Sequence, residues 1–258
     1  METRGLAEST VRAGTEKHKV SLLLPAFPAP PAVPDYILFV DTETSGLPAD
    51  WRRPYGEPGA WPHVAQIAWL LYNEQGELLK RENHFIKPSD YDLTPASTAI
   101  HGLTLAYLHE HGEPRRPVMQ RLLDDLQRYR PLVVGHFVEL DYHMMGVSFH
   151  RANLPNPLPG LPTFCTMKLS GTFSPTWQRR YLRLGELYDR LFSRVMPRQH
   201  DALADAEATA ECFFELRRHG DITEQTLRSQ TRLAPPAGRP RAVLPATRPF
   251  WKSWLGLQ

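Results

Sequence analysis

Residues 36–40, "YILFV", are mostly apolar and run straight into Asp41, reading as a strand over 36–41. The run "VAQIAWLLY" (64–72) reads as a second, fully buried strand. "ELLKRENHFIKP" (77–88) is a third, joined to the second through Asn73-Glu74-Gln75-Gly76 as a hairpin turn. After Pro117, Val118, Leu122, Leu123 and Leu126 recur on one face of a helix. "PLVVGH" (131–136) is a short apolar strand. A helix starts near Glu139, another covers 182–192, and a last one covers 201–218. Three successive strands followed by alternating helices and strands predict a mixed sheet covered by helices.

Composition draws the boundaries. "PAFPAPPAVP" (25–34) and "RLAPPAGRPRAVLPATRP" (232–249) suit neither helix nor central strand. They divide the chain into a flexible N-terminal segment (1–34), one globular domain (35–220) and a basic, Pro-rich C-terminal tail (221–258). The three parts carry net charges of +1, −3 and +4. A polyanionic partner must therefore be attracted to the domain by something other than net charge. Cys165 and Cys212 lie far apart and in no metal-ligand spacing, which argues against a disulfide framework and points to a reducing cytoplasm. No apolar run approaches the roughly 18 residues of a membrane helix, so no membrane partner is expected. The tail ends in "RPFWKSWLGLQ". At helical spacing Trp251, Trp254 and Leu255 share one face, which could enter a groove on a protein partner; docking on the protein's own core is the other reading.

The candidate chemistry begins where the first strand ends. On a strand, residues i and i+2 face the same way, so Asp41 and Glu43 project together. An Asp-x-Glu triplet alone means little, since about one copy is expected by chance in a chain of this composition. A second copy, Asp205-Ala206-Glu207, lies in a helical pattern, where i and i+2 diverge, so Glu207 should not share a site with Asp205. Two further acids open helices: Asp141 just after the "PLVVGH" strand, and Asp205 five residues after His200. Taken singly, each is an ordinary complement to a helix dipole.

Taken together, the motifs resemble the DEDDh 3′–5′ exonucleases of the DnaQ-like family, akin to the proofreading epsilon subunit of bacterial DNA polymerase III. The first motif is Asp41-Thr42-Glu43-Thr44-Ser45-Gly46-Leu47. The second is Gly135-His136-Phe137-Val138-Glu139-Leu140-Asp141, and the third runs from His200 to Glu207. "TPASTAIHGLT" (94–104) and "RYLRLGELYDRLF" (180–192) resemble the segments before the second and third motifs, so the resemblance spans about 35–218. Two positions depart from the family pattern: Phe137 replaces its usual Asn, and Ala96 replaces a Glu of the epsilon-like members. The segment 48–63 is longer than in the shortest members and could form part of the rim.

The resemblance implies a ribonuclease-H-like α/β fold, a five-stranded mixed sheet flanked by helices. It implies two Mg²⁺ or Mn²⁺ ions held by Asp41, Glu43, Asp141 and Asp205, whose mutual repulsion hard cations relieve. Asp41 would bridge both ions, Glu43 and Asp205 would help bind one, and Asp141 would support the other through water. His200 would be the general base. Thr44 and the segment His101-Gly102-Leu103 would hold the terminal nucleotide; a helix-capping turn is the alternative for Gly102. Arg179, Arg180 and Arg183 could touch phosphate or form a solvated helix-entry face. The implied reaction is stepwise release of nucleoside 5′-monophosphates from single-stranded or frayed 3′ ends of DNA. The alternatives are the same chemistry on RNA and a non-catalytic module binding nucleic acid or a polymerase.

Overall fold

The computed structural model describes residues 34–173, 180–230 and 233–236. Five strands form one mixed sheet: β1 (Tyr36–Thr44), β2 (Val64–Asn73), β3 (Leu78–Phe85), β4 (Leu132–Gly135) and β5 (Thr163–Cys165). Their order across the sheet is β3-β2-β1-β4-β5. β2 pairs antiparallel with β1 and β3, while β1–β4 and β4–β5 are parallel. This is the ribonuclease-H-like fold expected from the motifs. The β2–β3 hairpin closes on Gly76 at φ +79, a left-handed conformation glycine adopts without steric cost, and its N–H bonds the Asn73 carbonyl at 3.0 Å.

Strand alternation divides the core in two. Leu38 and Val40 of β1 pack with α3 (Arg115–Tyr129) and α4 (Val138–Arg151) on one face. Ile37 and Phe39 pack on the other face with α6 (Leu184–Phe192) and α7 (Ala202–His219). Trp69 and Phe213 are fully buried. Cys165 ends β5, and both cysteines are free and buried.

The helices that the periodicity announces all form, with starts displaced by a few residues. α3 begins at Arg115, before Pro117, because proline fits the first helical turn, where its missing N–H has no partner to lose. β1 runs three residues past Asp41, since Thr42 and Thr44 continue the alternation. Two short helices, α1 (Pro95–His101) and α2 (Leu105–His111), bear no strong apolar stripe; Thr94 and Thr104 cap them, accepting from Ser97 and Tyr107 N–H at 3.1 Å. A five-residue α5 (Thr166–Ser170) follows β5.

In the segment assigned to the tail, Ile222 is buried and α8 (Glu224–Ser229) follows. Gln230 lies against edge strand β5: its amide accepts from Cys165 N–H at 2.8 Å and donates to the Cys165 carbonyl at 3.1 Å. The N-terminal segment 1–33, Arg179, and the Phe250, Trp251, Trp254 and Leu255 face lie outside the described residues. Among the described residues, no helix is long and apolar enough to cross a membrane.

Candidate active site

The carboxylates gather at the end of the sheet, over the C-terminal ends of β1 and β4. Asp41 and Glu43 fall on the α7 face of β1. Gly135 ends β4, and α4 then brings Asp141 back to that end in its first turn. A Cβ on Gly135 would sit 3.2 Å from the Asp141 carboxylate, so glycine admits the close approach. α7 supplies Asp205 from its first turn, and His200 precedes that helix by two residues.

All five line one cavity of about 410 Å³, together with Thr44, Ala96, His101, Phe137, Leu140, Arg183, Leu184 and Met196. One ligand atom each from Glu43, His200 and Asp205 lies within 4.8 Å of the others. Glu207 does diverge, as the helical spacing requires: it pairs with Arg81 at 2.7 Å.

Thr42, on the opposite face of β1, donates its hydroxyl to Asp141 Oδ1 at 2.7 Å. Sequence reasoning missed this residue, because its partner lies 99 positions away. His200 adopts φ +65 and its N–H bonds Asp205 Oδ2 at 3.3 Å. Left-handed backbone at a non-glycine costs on the order of 1 kcal/mol, so the turn is held by its surroundings.

Burial and mutual repulsion raise every acid of the cluster. Asp41 is pushed well above the ordinary carboxylate range, by burial first and then by Asp141, Asp205, Glu43 and Asp201. Burial and the same neighbouring acids raise Glu43 to about 8. Burial likewise brings Asp141 and Asp205 to about 7. Groups that favour the protonated state in isolation are suited to a strong external positive charge. Among the described residues, Asp205 Oδ1 is buried with no hydrogen-bond partner, an acceptor placed for such a charge. Glu43, Asp205 and His200 form a candidate metal-holding group, and the Asp41 and Asp141 carboxylates on the same cavity wall add hard oxygen donors that suit a divalent cation.

A carboxyl with a higher pKa folded than unfolded keeps its proton only in the folded state between the two values. Its stabilising contribution is therefore complete below the unfolded pKa and is lost as pH rises through the folded one. With chelator, the melting temperature should fall by about 5–10 °C between about pH 5 and pH 8, and added Mg²⁺ should restore more of it at the higher pH. A flat or rising profile in chelator would contradict the clustering.

The nucleotide-holding residues divide. Thr44 and His101 line the cavity; Gly102 and Leu103 do not. Gly102 caps α1 at φ +72, with its N–H on the Thr98 carbonyl at 2.8 Å. Leu103 N–H donates to His101 Nδ1 at 3.0 Å, which orients that ring. Of the arginines, Arg183 reaches the cavity, and after burial its charge is the second influence lowering the His200 pKa. Arg180 lies over the Tyr181 ring at 5.4 Å.

Segment 48–63 contributes no lining residue. It packs down on α4: Trp61 stacks on His143 at 5.2 Å, and the Tyr55 hydroxyl meets His143 Nδ1 at 2.9 Å. Trp51 in turn lies 6.0 Å from Phe137, which caps α4 at φ +74. Asparagine tolerates that conformation better than phenylalanine, so the aromatic packing offsets a backbone cost.

A ribonuclease-H-like sheet carrying clustered acids at its open end, above the ends of its parallel strands, defines the class: a nuclease fold with a candidate metal centre. The family model for the RNase_T exonucleases matches residues 38–213, and the chain belongs to this family of nucleic-acid hydrolases. Among solved structures, it is similar to Escherichia coli exonuclease I in complex with a dA16 oligonucleotide. The two are 18% identical with a TM-score of 0.58, over 75% of this chain and 42% of that one. It is also similar to the 3′-exonuclease in a structure of 3′-end specific recognition of a histone mRNA stem-loop. There the identity is 14% and the TM-score 0.56, over 74% of this chain and 84% of that one. These likenesses show the fold alone. The chain spans 42% of the length of exonuclease I. Sequence comparison with curated proteins gives no match.

Proposed function

We propose that the protein is a DEDDh-type 3′–5′ exonuclease that releases nucleoside 5′-monophosphates from single-stranded or frayed 3′ ends of DNA. The observation that carries this reading is the convergence of Asp41, Glu43, Asp141, Asp205 and His200, drawn from three separated motifs, in one cavity. The four carboxylates would hold two Mg²⁺ or Mn²⁺ ions. When bound, these supply the charge that offsets the phosphate and lower the pKa of the attacking water. His200 takes the proton from that water at its imidazole. The water oxygen bonds to phosphorus and the 3′ oxygen of the preceding nucleotide leaves. Thr44 and His101 hold the terminal nucleotide, and Arg183 lies near enough to meet a phosphate.

RNA is the second reading. It is favoured by the likeness to a 3′-exonuclease whose structure concerns a histone mRNA stem-loop. Matched 3′-labelled DNA and RNA strands, each with Mg²⁺ or Mn²⁺, test the proposal. Shortening from the labelled end with monophosphate release is expected, faster on DNA. No hydrolysis of either strand would leave a non-catalytic module.

Buried free thiols at Cys165 and Cys212 suit a reducing cytoplasm, the compartment we propose. We further assign the tail beyond Pro235 to a protein partner. Truncation there should leave the rate on short single strands within about 3-fold, because the α8–Gln230 contact is retained. Loss of the folded domain on truncation would overturn that assignment.

A further inference from the structure

We propose that Gln66 is a positioning residue, whose side-chain amide fixes the His200–Asp205 turn against the strand that carries Glu43. The role in catalysis rests on the function proposed above; the placement does not.

Gln66 is only 1% exposed, in a strand whose neighbours Val64, Ala65, Ile67, Ala68 and Trp69 are buried apolar residues. An amide in such surroundings is costly unless its hydrogen bonds are made. Here they are made, and they leave the apolar core. Oε1 accepts from Ala202 N–H at 3.3 Å, satisfying one of the free amides that open α7. Nε2 donates to Asn83 Oδ1 at 2.9 Å and lies 3.4 Å from Asp201 Oδ2. Asp201 is itself the cap of α7, accepting from Ala204 N–H at 3.0 Å.

Gln66 therefore grips the cap and the first amide of the helix together. That stretch lies between His200 and Asp205. The other end of the tie is equally placed, because Gln66 pairs directly with Glu43 across the β1–β2 ladder, one step before the ladder shifts register. Directly paired residues on neighbouring strands project to the same face of the sheet. One side chain thus sets the separation between Glu43, on the sheet, and the two groups brought by α7. The turn needs such a tie. His200 is held in left-handed backbone at φ +65, and Arg198 before it at φ +48, so local preference does not fix this path.

Partners that orient metal-binding side chains from behind typically cost about 10- to 100-fold in metal affinity or activity when removed. Gln66→Met keeps the shape and removes the hydrogen bonds. It should lower kcat by about 10- to 100-fold while KM for a short single strand stays within about 3-fold. Mn²⁺ affinity, read by electron paramagnetic resonance, should weaken, and the amides of Ala202 and Ala204 should exchange hydrogen faster. A folded Gln66→Met protein with unchanged kcat and Mn²⁺ affinity would overturn the proposal.

Asn83 decides the matter if Gln66→Met does not fold, because it is exposed on the edge strand β3. Asn83→Ala removes the acceptor that orients the amide and should lower kcat by about 3- to 10-fold, about 1 kcal/mol of lost orientation. Asn83→Asp keeps an acceptor oxygen and should recover most of the rate. Equal rates for wild type and Asn83→Ala would sink the idea. If the wild type hydrolyses neither DNA nor RNA, the functional reading fails. Mn²⁺ binding and hydrogen exchange would still decide the placement.

Discussion

Asp41→Asn should reduce hydrolysis by at least about 10³-fold and, without metal, raise the melting temperature. Both effects come from one carboxylate. Asp41 is repelled by four other acids, Asp141, Asp205, Glu43 and Asp201, and its burial adds to that cost. Asparagine keeps the volume and removes the charge. The metal-free protein loses a source of repulsion, while on the function proposed above the metal-loaded enzyme would lose a ligand. Activity near wild type in Mg²⁺ would overturn the metal centre. Lost activity with a lowered melting temperature in chelator would show that Asp41 serves the fold instead.

His200→Ala should lower kcat by about 10²- to 10⁴-fold, the usual scale for a missing general base, with Mn²⁺ affinity largely kept. The geometry makes this a sharp test. His200 lies within 4.8 Å of ligand atoms on Glu43 and Asp205, close enough to bind an ion or to face a water beside one. Partial burial and the Arg183 charge lower its pKa below the usual histidine value. The imidazole is thus neutral, and able to accept a proton, further into the acid range than a free histidine. A collapse of Mn²⁺ affinity with a normal rate at saturating metal would make His200 a ligand.

The central sheet is legible in the sequence because apolar runs are strong local signals. Apolar runs at 36–40, 64–72 and 131–136 mark strands with little regard to context, and α3 and α7 carry long apolar stripes. The chemical residues were legible for a different reason. Singly, Asp141 and Asp205 read as ordinary complements to helix dipoles; the set with Asp41, Glu43 and His200 is legible through the resemblance of their motifs to a known family.

What escaped notice depends on contacts distant in sequence. β5 has three residues, too few to show a period. α1 and α2 are defined by threonine caps and by packing. The roles of Thr42 and Gln66 are invisible without Asp141 and Ala202 beside them, residues 99 and 136 positions away. The 48–63 segment reads as rim because it is longer than in the shortest family members. Its aromatic residues instead find His143 and Phe137, an outcome that composition cannot foretell.

The alternation of β1 has a practical corollary. Asp41 and Glu43 face α7, whereas Thr42, one position away, meets Asp141 from the other side of the sheet. A slip of β1 by a single residue against β2 would exchange these faces, sending the acids among the apolar side chains of α3 and α4. Misthreaded molecules would therefore be catalytically silent, not merely slower. Titration of a purified or refolded sample for active sites would count correctly threaded chains, molecule by molecule. A fractional titre with an unchanged turnover per titrated site would be the mark of a mixed population.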